Sequence, residues 1–305
     1  MSNVDTLVLN WHLTEACNYR CRYCYATWEE PPYLRGIMHD HQQTSALLGE
    51  LYQFFRPGNS ANPLAERMSW GRVRLSLAGG EPLLYAGRLS SIVRTARDLG
   101  FEVSIITNGS LLTRELLHQL GPNLTWLGIS LDSANQRTNR SIGRSDCRGQ
   151  LLQYDELAAC LQLFRQHNPS LRLKINTVVN RLNHDQDLTP LIESFSPDKW
   201  KVLRMLPIVN QYLAVNDGQF AAFVARHKGF PGVLRVEDNQ DMRDSYLMVD
   251  PYGRFFQNSS PVAGQGYVYS QPILGVGVRE AFSELTFAHE RFRSRYVQLV
   301  AGVRA

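Results

Sequence analysis

The sequence has no long apolar run. Nowhere in its 305 residues is there anything near the roughly 20 consecutive apolar residues that a membrane helix needs. Residues 1–17 hold neither the charged start and apolar stretch of a secretory signal nor an amphipathic targeting helix, so a cytoplasmic protein is expected. Charge of one sign is scarce too. Lys and Arg total 32 against 28 Asp and Glu, a net +4 that suits a phosphate-bearing ligand without demanding a nucleic-acid partner. Long basic tracts are missing, which argues against RNA and against a stable nucleic-acid complex. There is no internal repeat and no low-complexity tract. Cysteine is sparse: an odd count of five, without a secretory signal, does not make a disulfide framework. None follows Cys160.

What is present is an alternation of apolar, β-branched runs with helical patterns. The strand-like runs are Thr6–Leu13, Val73–Ala78, Glu102–Thr107, Leu124–Leu131, Leu171–Val178 and Lys201–Leu206. Helical patterns cover Asp40–Phe55, Arg88–Leu99, Thr113–Leu120, Leu151–His167 and Asp185–Phe195. Such alternation predicts parallel strands joined by helical crossovers, here an α/β fold with a partial (β/α)6 barrel over residues 1–210. The tail, 211–305, reads differently. Val233–Val236, Ser245–Val249 and Arg254–Phe256 are short strands with a turn at Asp250–Gly253, Gln257–Pro272 is a loop, and Gly277–Arg291 is a last helix. We expect it to be a C-terminal extension covering the barrel, not an independent domain.

Three of the five cysteines, Cys17, Cys21 and Cys24, lie within eight residues. Cys21 and Cys24 alone would fit a zinc knuckle or a redox pair. With Cys17 they make C-x3-C-x2-C, three thiolates on one loop able to hold three irons of a 4Fe–4S cubane and leave the fourth open. The spacing resembles the radical S-adenosylmethionine (SAM) superfamily signature, with Tyr23 at its aromatic position. That resemblance implies that the amino and carboxylate groups of SAM chelate the open iron, and that one electron splits SAM to a 5′-deoxyadenosyl radical. The competing reading is a zinc site completed by His12 or His39. Cys147 and Cys160 read as ordinary thiols.

The residues that follow strand ends favour the cluster. Gly79, Gly80 and Glu81 follow the second strand and resemble the superfamily's GGE motif, which implies contacts to the SAM amino group; Glu81 also suits orienting the loop. Asn108 ends the third strand, and Ser130 and Asp132 end the fourth. They are candidate SAM ribose or carboxylate contacts, with turn or cap roles as the alternative. Barrel enzymes carry their sites at the C-terminal ends of parallel strands. Lys174 and Asn176 share a face of the fifth strand, and Lys201 opens the sixth; charged groups in apolar strands favour a ligand over packing. With Arg144, Arg181 and Arg204 the two lysines supply cations for a phosphate-bearing ligand. Asn10 approaches a base or sugar, whereas His12 reads as a satisfied core residue.

Longer segments resemble the viperin family. They are Asn10–Cys17, Ile129–Ser133, Ile142–Arg144, Lys174–Arg181, Trp200–Val202 and Asn239–Tyr246, and the likeness runs from about Leu7 to about Tyr296. It implies a nucleotide dehydratase that converts a ribonucleoside triphosphate, CTP in the animal enzyme, to the 3′-deoxy-3′,4′-didehydro form, an antiviral chain terminator. UTP and GTP stay open. It implies an electron donor of flavodoxin or ferredoxin type, and a monomer is expected. Lys174 and Lys201 match its phosphate contacts, and Tyr246 and Tyr296 are candidates for supplying the final hydrogen. Ala78 departs from the animal serine, which bears on base preference. The chain also starts without the animal amphipathic helix and ends Val303–Ala305 instead of in tryptophan, so a prokaryotic member without lipid-droplet or reticulum attachment is expected. The competing functions are a radical SAM enzyme for another phosphorylated substrate and a non-enzymatic zinc module.

Overall fold

The computed structural model describes residues 2–31, 35–259 and 266–297. The apolar runs form strands β1 (Ser2–His12), β2 (Met68–Ala78), β3 (Glu102–Thr107), β4 (Trp126–Ser130), β5 (Arg172–Val179), β6 (Lys199–Arg204) and β7 (Leu234–Glu237). Each pairs in parallel with the next. Parallel neighbours need crossovers, and the helices supply them: α1 (His41–Phe55), α2 (Ala86–Leu99), α3 (Arg114–Leu120), α4 (Gln136–Ile142), α5 (Tyr154–His167), α6 (Thr189–Phe195) and α7 (Asp217–Arg226). In α2 the buried apolar residues are Leu89, Ile92, Val93 and Ala96, a stripe at helical spacing that packs on the sheet. Each such leucine or isoleucine contributes about 1.5–3 kcal/mol by leaving water. One continuous apolar core joins the sheet to these helices.

The strand register decides what lines the barrel. Because side chains alternate, Lys174 and Asn176 of β5 face inward together. Lys174 pairs with Lys199 and Asn176 with Lys201, so the inward cations sit side by side. Gly128 of β4 clears the path: a Cβ there would stand 3.1 Å from Lys174 Cε.

The tail is built into the same sheet. β7 extends the β6 edge, while β8 (Leu247–Val249) pairs in parallel with β1, and β9 (Arg254–Gln257) and β10 (Val268–Pro272) follow antiparallel. β10 lies within the stretch expected to be a loop. The single expected last helix is broken into α10 (Val278–Ser283) and α11 (His289–Val297), preceded by the short α8 (Asn239–Met242) and α9 (Ile273–Val276). Helix α6 begins four residues later than expected. Residues 180–188 are taken by turns, with Asn183 Oδ1 accepting from Asn180 N at 2.7 Å and Leu188 N donating to His227 Nε2 at 2.9 Å. No helix among the described residues is long and apolar enough to cross a membrane.

Candidate active site

After β1 the chain turns into the loop that carries Cys17, Cys21 and Cys24, and backbone hydrogen bonds clamp this loop from two sides. Toward β2, Gly80 N donates to Thr14 O at 2.6 Å and Glu81 N to Ala16 O at 2.8 Å. Gly79 holds φ +118°, and a Cβ at Gly80 would stand 2.2 Å from Ala16 O. The glycine pair is therefore demanded by the approach of strand to loop, apart from anything it offers a ligand. Toward α4, Arg20 N donates to Gly143 O at 3.0 Å and Arg22 N to Ile142 O at 2.8 Å. Inside the loop, Tyr19 N donates to Cys17 Sγ at 3.3 Å, and Asn108 Nδ2 stands 3.8 Å from the same sulfur.

All three thiols are free and face one cavity of about 250 Å³. Burial raises each of them, and it pushes Cys21 up to about 12. Thiols of this kind stay protonated until a cation replaces the proton. Among the described residues no group of three His, Cys, Asp or Glu side chains could hold a single metal ion. Three thiolates on one loop suit different irons of one cubane. His39 packs its ring on Tyr85. His12 is buried edge-on among Tyr25, Trp28 and Phe256, and burial lowers it to about 3, so it is a neutral imidazole. It differs from the satisfied core residue expected. It lines the cavity, and its buried Nδ1 has no hydrogen-bond partner.

The cavity wall brings together most of the residues singled out in the sequence. Asn10, Tyr23, Gly79, Gly80, Asn108 and Ser130 line it together with the cysteines. Lys174, Asn176, Lys201 and Tyr246 line it as well. The Tyr296 side chain lies outside the described residues.

Several assignments need correction. Glu81 does not line the cavity: it is fully buried, with Oε1 accepting from Leu83 N and Thr107 Oγ1 and Oε2 from Asn108 N, so its carboxylate ties the end of β2 to β3. Asp132 is equally buried and turned inward, where it pairs with Arg144 at 3.2 Å and accepts from Val178 N and the Tyr23 hydroxyl. Arg144 reaches the wall, but its guanidinium is taken by Asp132, by Ser130 O and by the Tyr23 hydroxyl. The three form a clasp between the cysteine loop and β4, not free ligand contacts. Arg204 also reaches the wall, yet it is neutralised by Asp217 at 2.7 Å and Asp238 at 3.3 Å. Arg181 is exposed, because β5 ends at Val179 and the in–out alternation stops there.

A second, smaller cavity of about 80 Å³ continues below the first, with Asn10, Lys174, Lys201 and Tyr246 common to both. Sequence reasoning missed the cations that complete it: Arg74, Lys199, Arg235 and Arg295, the last stacked on the Tyr246 ring and 3.7 Å from Glu237. The signal was there, since Arg74 and Lys199 occupy the inward positions of β2 and β6 in the same alternation that exposed Lys174 and Lys201. Arg74 is paired with Glu102 at 2.7 Å, and Lys201 with Glu237 at 2.7 Å. Lys174 and Lys199 have no carboxylate at ion-pair distance among the described residues. Burial and the neighbouring cations hold Lys174 well below the usual lysine range and Lys199 at about 8. Tyr246 donates to Glu237 and accepts from Lys201 Nζ at 2.5 Å; burial, with the Glu237 charge, keeps its phenol protonated far beyond neutral pH.

The radical SAM superfamily model matches residues 11–193, the span from the end of β1 through α6. A relative from Pseudoalteromonas ulvae, named S-adenosylmethionine-dependent nucleotide dehydratase, is 40% identical over 97% of this chain and 94% of its own length. The chain belongs to the radical SAM superfamily and, within it, to the viperin-like family of SAM-dependent nucleotide dehydratases. A relative of the same name from Psychrobacter lutiphocae is 38% identical over 95% of the chain and 94% of its own length. A fish relative, from Siniperca chuatsi, is 30% identical over 94% of this chain and 77% of its own length. Among solved structures, His-tagged anSMEcpe with bound AdoMet superposes with TM-score 0.65 at 15% identity, covering 97% of this chain and 84% of that one, a likeness of fold. Membership makes this chain an enzyme of the dehydratase type whose cofactors are SAM and a 4Fe–4S cluster. The free cysteine trio at the cavity mouth fits that pair.

Proposed function

We propose that this protein is a cytoplasmic, monomeric nucleotide dehydratase that takes a ribonucleoside triphosphate, CTP first among the candidates, to its 3′-deoxy-3′,4′-didehydro form, an antiviral chain terminator. The observation that carries the reading is the pairing of a cysteine-lined mouth with a floor of cations that lack enough carboxylates to neutralise them. Half-buried lysines without a carboxylate are disfavoured unless another anion joins them, and a triphosphate is an anion of matching charge.

Cys17, Cys21 and Cys24 would hold the cluster, and Gly79, Gly80, Asn108 and Ser130 would line the SAM side. When bound, cluster and SAM supply an alkyl radical able to take a hydrogen atom from an unactivated ribose carbon. The chain's own residues do the rest. Lys174, Lys199, Lys201, Arg74 and Arg235 hold the phosphates. Asn10 and Asn176 orient the ribose so that its 4′ hydrogen faces the mouth. Water is kept out by the apolar parts of the wall, Met242, Met248 and Tyr267. Tyr246 holds a proton at its hydroxyl oxygen, fixed by Glu237 and Lys201, beside the place where the 3′ hydroxyl leaves as water. Ala78, also in the wall, lies where a base-recognition contact would be made.

Anaerobic reconstitution with iron and sulfide, followed by SAM, dithionite and one nucleoside triphosphate at a time, tests this by mass spectrometry. A substrate-dependent rise in 5′-deoxyadenosine with a nucleotide lighter by one water names the base. Abundant 5′-deoxyadenosine with every triphosphate intact would leave the radical chemistry standing and refute the substrate.

A further inference from the structure

The outer face of the cysteine loop is strongly basic. Arg20 and Arg22 lie in the loop itself, and Arg137 and Arg140 lie one turn apart on α4. Backbone bonds from Arg20 and Arg22 to Gly143 and Ile142 fasten the two segments together, and the Arg22 guanidinium reaches Ser141 O at 3.5 Å. All four side chains are exposed, and among the described residues none has a carboxylate at ion-pair distance; the nearby ion pair is the buried Arg144–Asp132. Asn210 Nδ2 donates to Arg22 O at 3.1 Å and so brings the loop after β6 alongside. That loop presents Tyr212, 73% exposed, and Val209, 44% exposed.

Isolated surface arginines are ordinary solvated charges. Here four converge without acids beside two exposed apolar side chains, over the very loop whose thiols face the cavity. Each turnover needs electrons that the chain itself does not store, one to split SAM and one to quench the nucleotide radical after the 3′ hydroxyl has left. We propose that this face docks an acidic one-electron carrier protein, whose negative rim meets the arginines while an apolar edge meets Tyr212 and Val209. The inference rests on the radical SAM reading of the three thiols. In the step itself the carrier loses one electron and the cluster gains it, and no bond forms or breaks. Small, charge-steered contacts of this kind suit transient electron transfer, since they associate quickly and release quickly.

The test uses the reconstituted enzyme and an acidic flavodoxin reduced by NADPH through its reductase. Arg137→Glu with Arg140→Glu reverses charge at two side chains outside both cavities, and Tyr212→Ser is a second, neutral variant. Flavodoxin affinity, read by titration of flavin fluorescence, should fall about tenfold or more in the double variant and lose most of its salt dependence. Flavodoxin-driven 5′-deoxyadenosine formation should fall with it, while dithionite-driven formation stays unchanged. Unaltered affinity in both variants would overturn the proposal alone. No 5′-deoxyadenosine from the unaltered enzyme with dithionite would overturn the underlying reading and the proposal together. Displacement of flavodoxin by a single-stranded oligonucleotide whose binding is lost in the same variant would assign the face to nucleic acid instead.

Discussion

Replacing Gly80 by alanine should empty the cluster site without touching a thiol. The added Cβ would stand 2.2 Å from Ala16 O and 2.7 Å from Glu15 O, where ordinary contact begins at 3.4 Å. Both obstacles are backbone, so the cysteine loop must retreat by about 1 Å or more from the end of β2. That retreat breaks Gly80 N to Thr14 O and Glu81 N to Ala16 O, two buried bonds whose loss costs roughly 1–3 kcal/mol each. The loop keeps its clamp on α4, so the protein stays folded while Cys17 shifts relative to Cys21 and Cys24. Iron and sulfide per chain after anaerobic reconstitution should fall to about half of the unaltered value or below, with the charge-transfer absorbance falling in parallel. Gly87→Ala is the control, since nothing lies within 4 Å of a Cβ there. A Gly80→Ala protein that loads as much iron as the control would refute the claim that this strand-to-loop contact sets the thiol positions.

Asp132→Asn leaves the Arg144 guanidinium buried beside a neutral partner, and denaturant unfolding should show a loss of about 3–5 kcal/mol; a loss below about 1 kcal/mol would mean that water reaches the pair. Lys174→Met should raise the melting temperature and the KM for the nucleotide together. The folded protein holds Lys174 well below the usual range, so it binds fewer protons than the unfolded chain, and the stability gained by the variant should shrink as pH rises toward the ordinary lysine value. A variant with unchanged KM would remove Lys174 from the phosphate site. His12→Phe should flatten the acid side of the stability curve. Folding holds His12 neutral to about 3 while the unfolded chain takes a proton near 6.5, so the unaltered protein loses stability as pH falls through that window, and equal slopes in thermal melts would contradict the buried, neutral assignment.

The parallel strands were legible in the sequence because each is a β-branched, apolar run ended by a glycine or a small polar residue. β3 begins and ends where the sequence placed it, and β6 starts two residues early. The helices α4 and α7 were not legible because their apolar positions are few: α4 carries Ile142 alone, and α7 buries only Phe220 and Phe223. In the tail, β7, β8 and β9 form within two residues of the short strands expected there, and β10 was missed. Their place at the two sheet edges is fixed by long-range pairing that no local pattern encodes. In the site, residue type and strand position picked out Lys174, Asn176 and Lys201, which do line the cavity. They could not tell a cation without a carboxylate from one held in a clasp: Arg144 and Arg204 looked like Lys174 until Asp132, Asp217 and Asp238 were seen beside them.

The central claim joins a radical generator at the mouth of one cavity to a ribose held above its floor, and isotope transfer tests that junction directly. The reconstituted enzyme, given SAM, dithionite and a ribonucleoside triphosphate carrying deuterium at the 4′ carbon, should yield 5′-deoxyadenosine enriched by one deuterium alongside the dehydrated nucleotide. Unlabelled 5′-deoxyadenosine, with the deuterium still on an intact triphosphate, would contradict it.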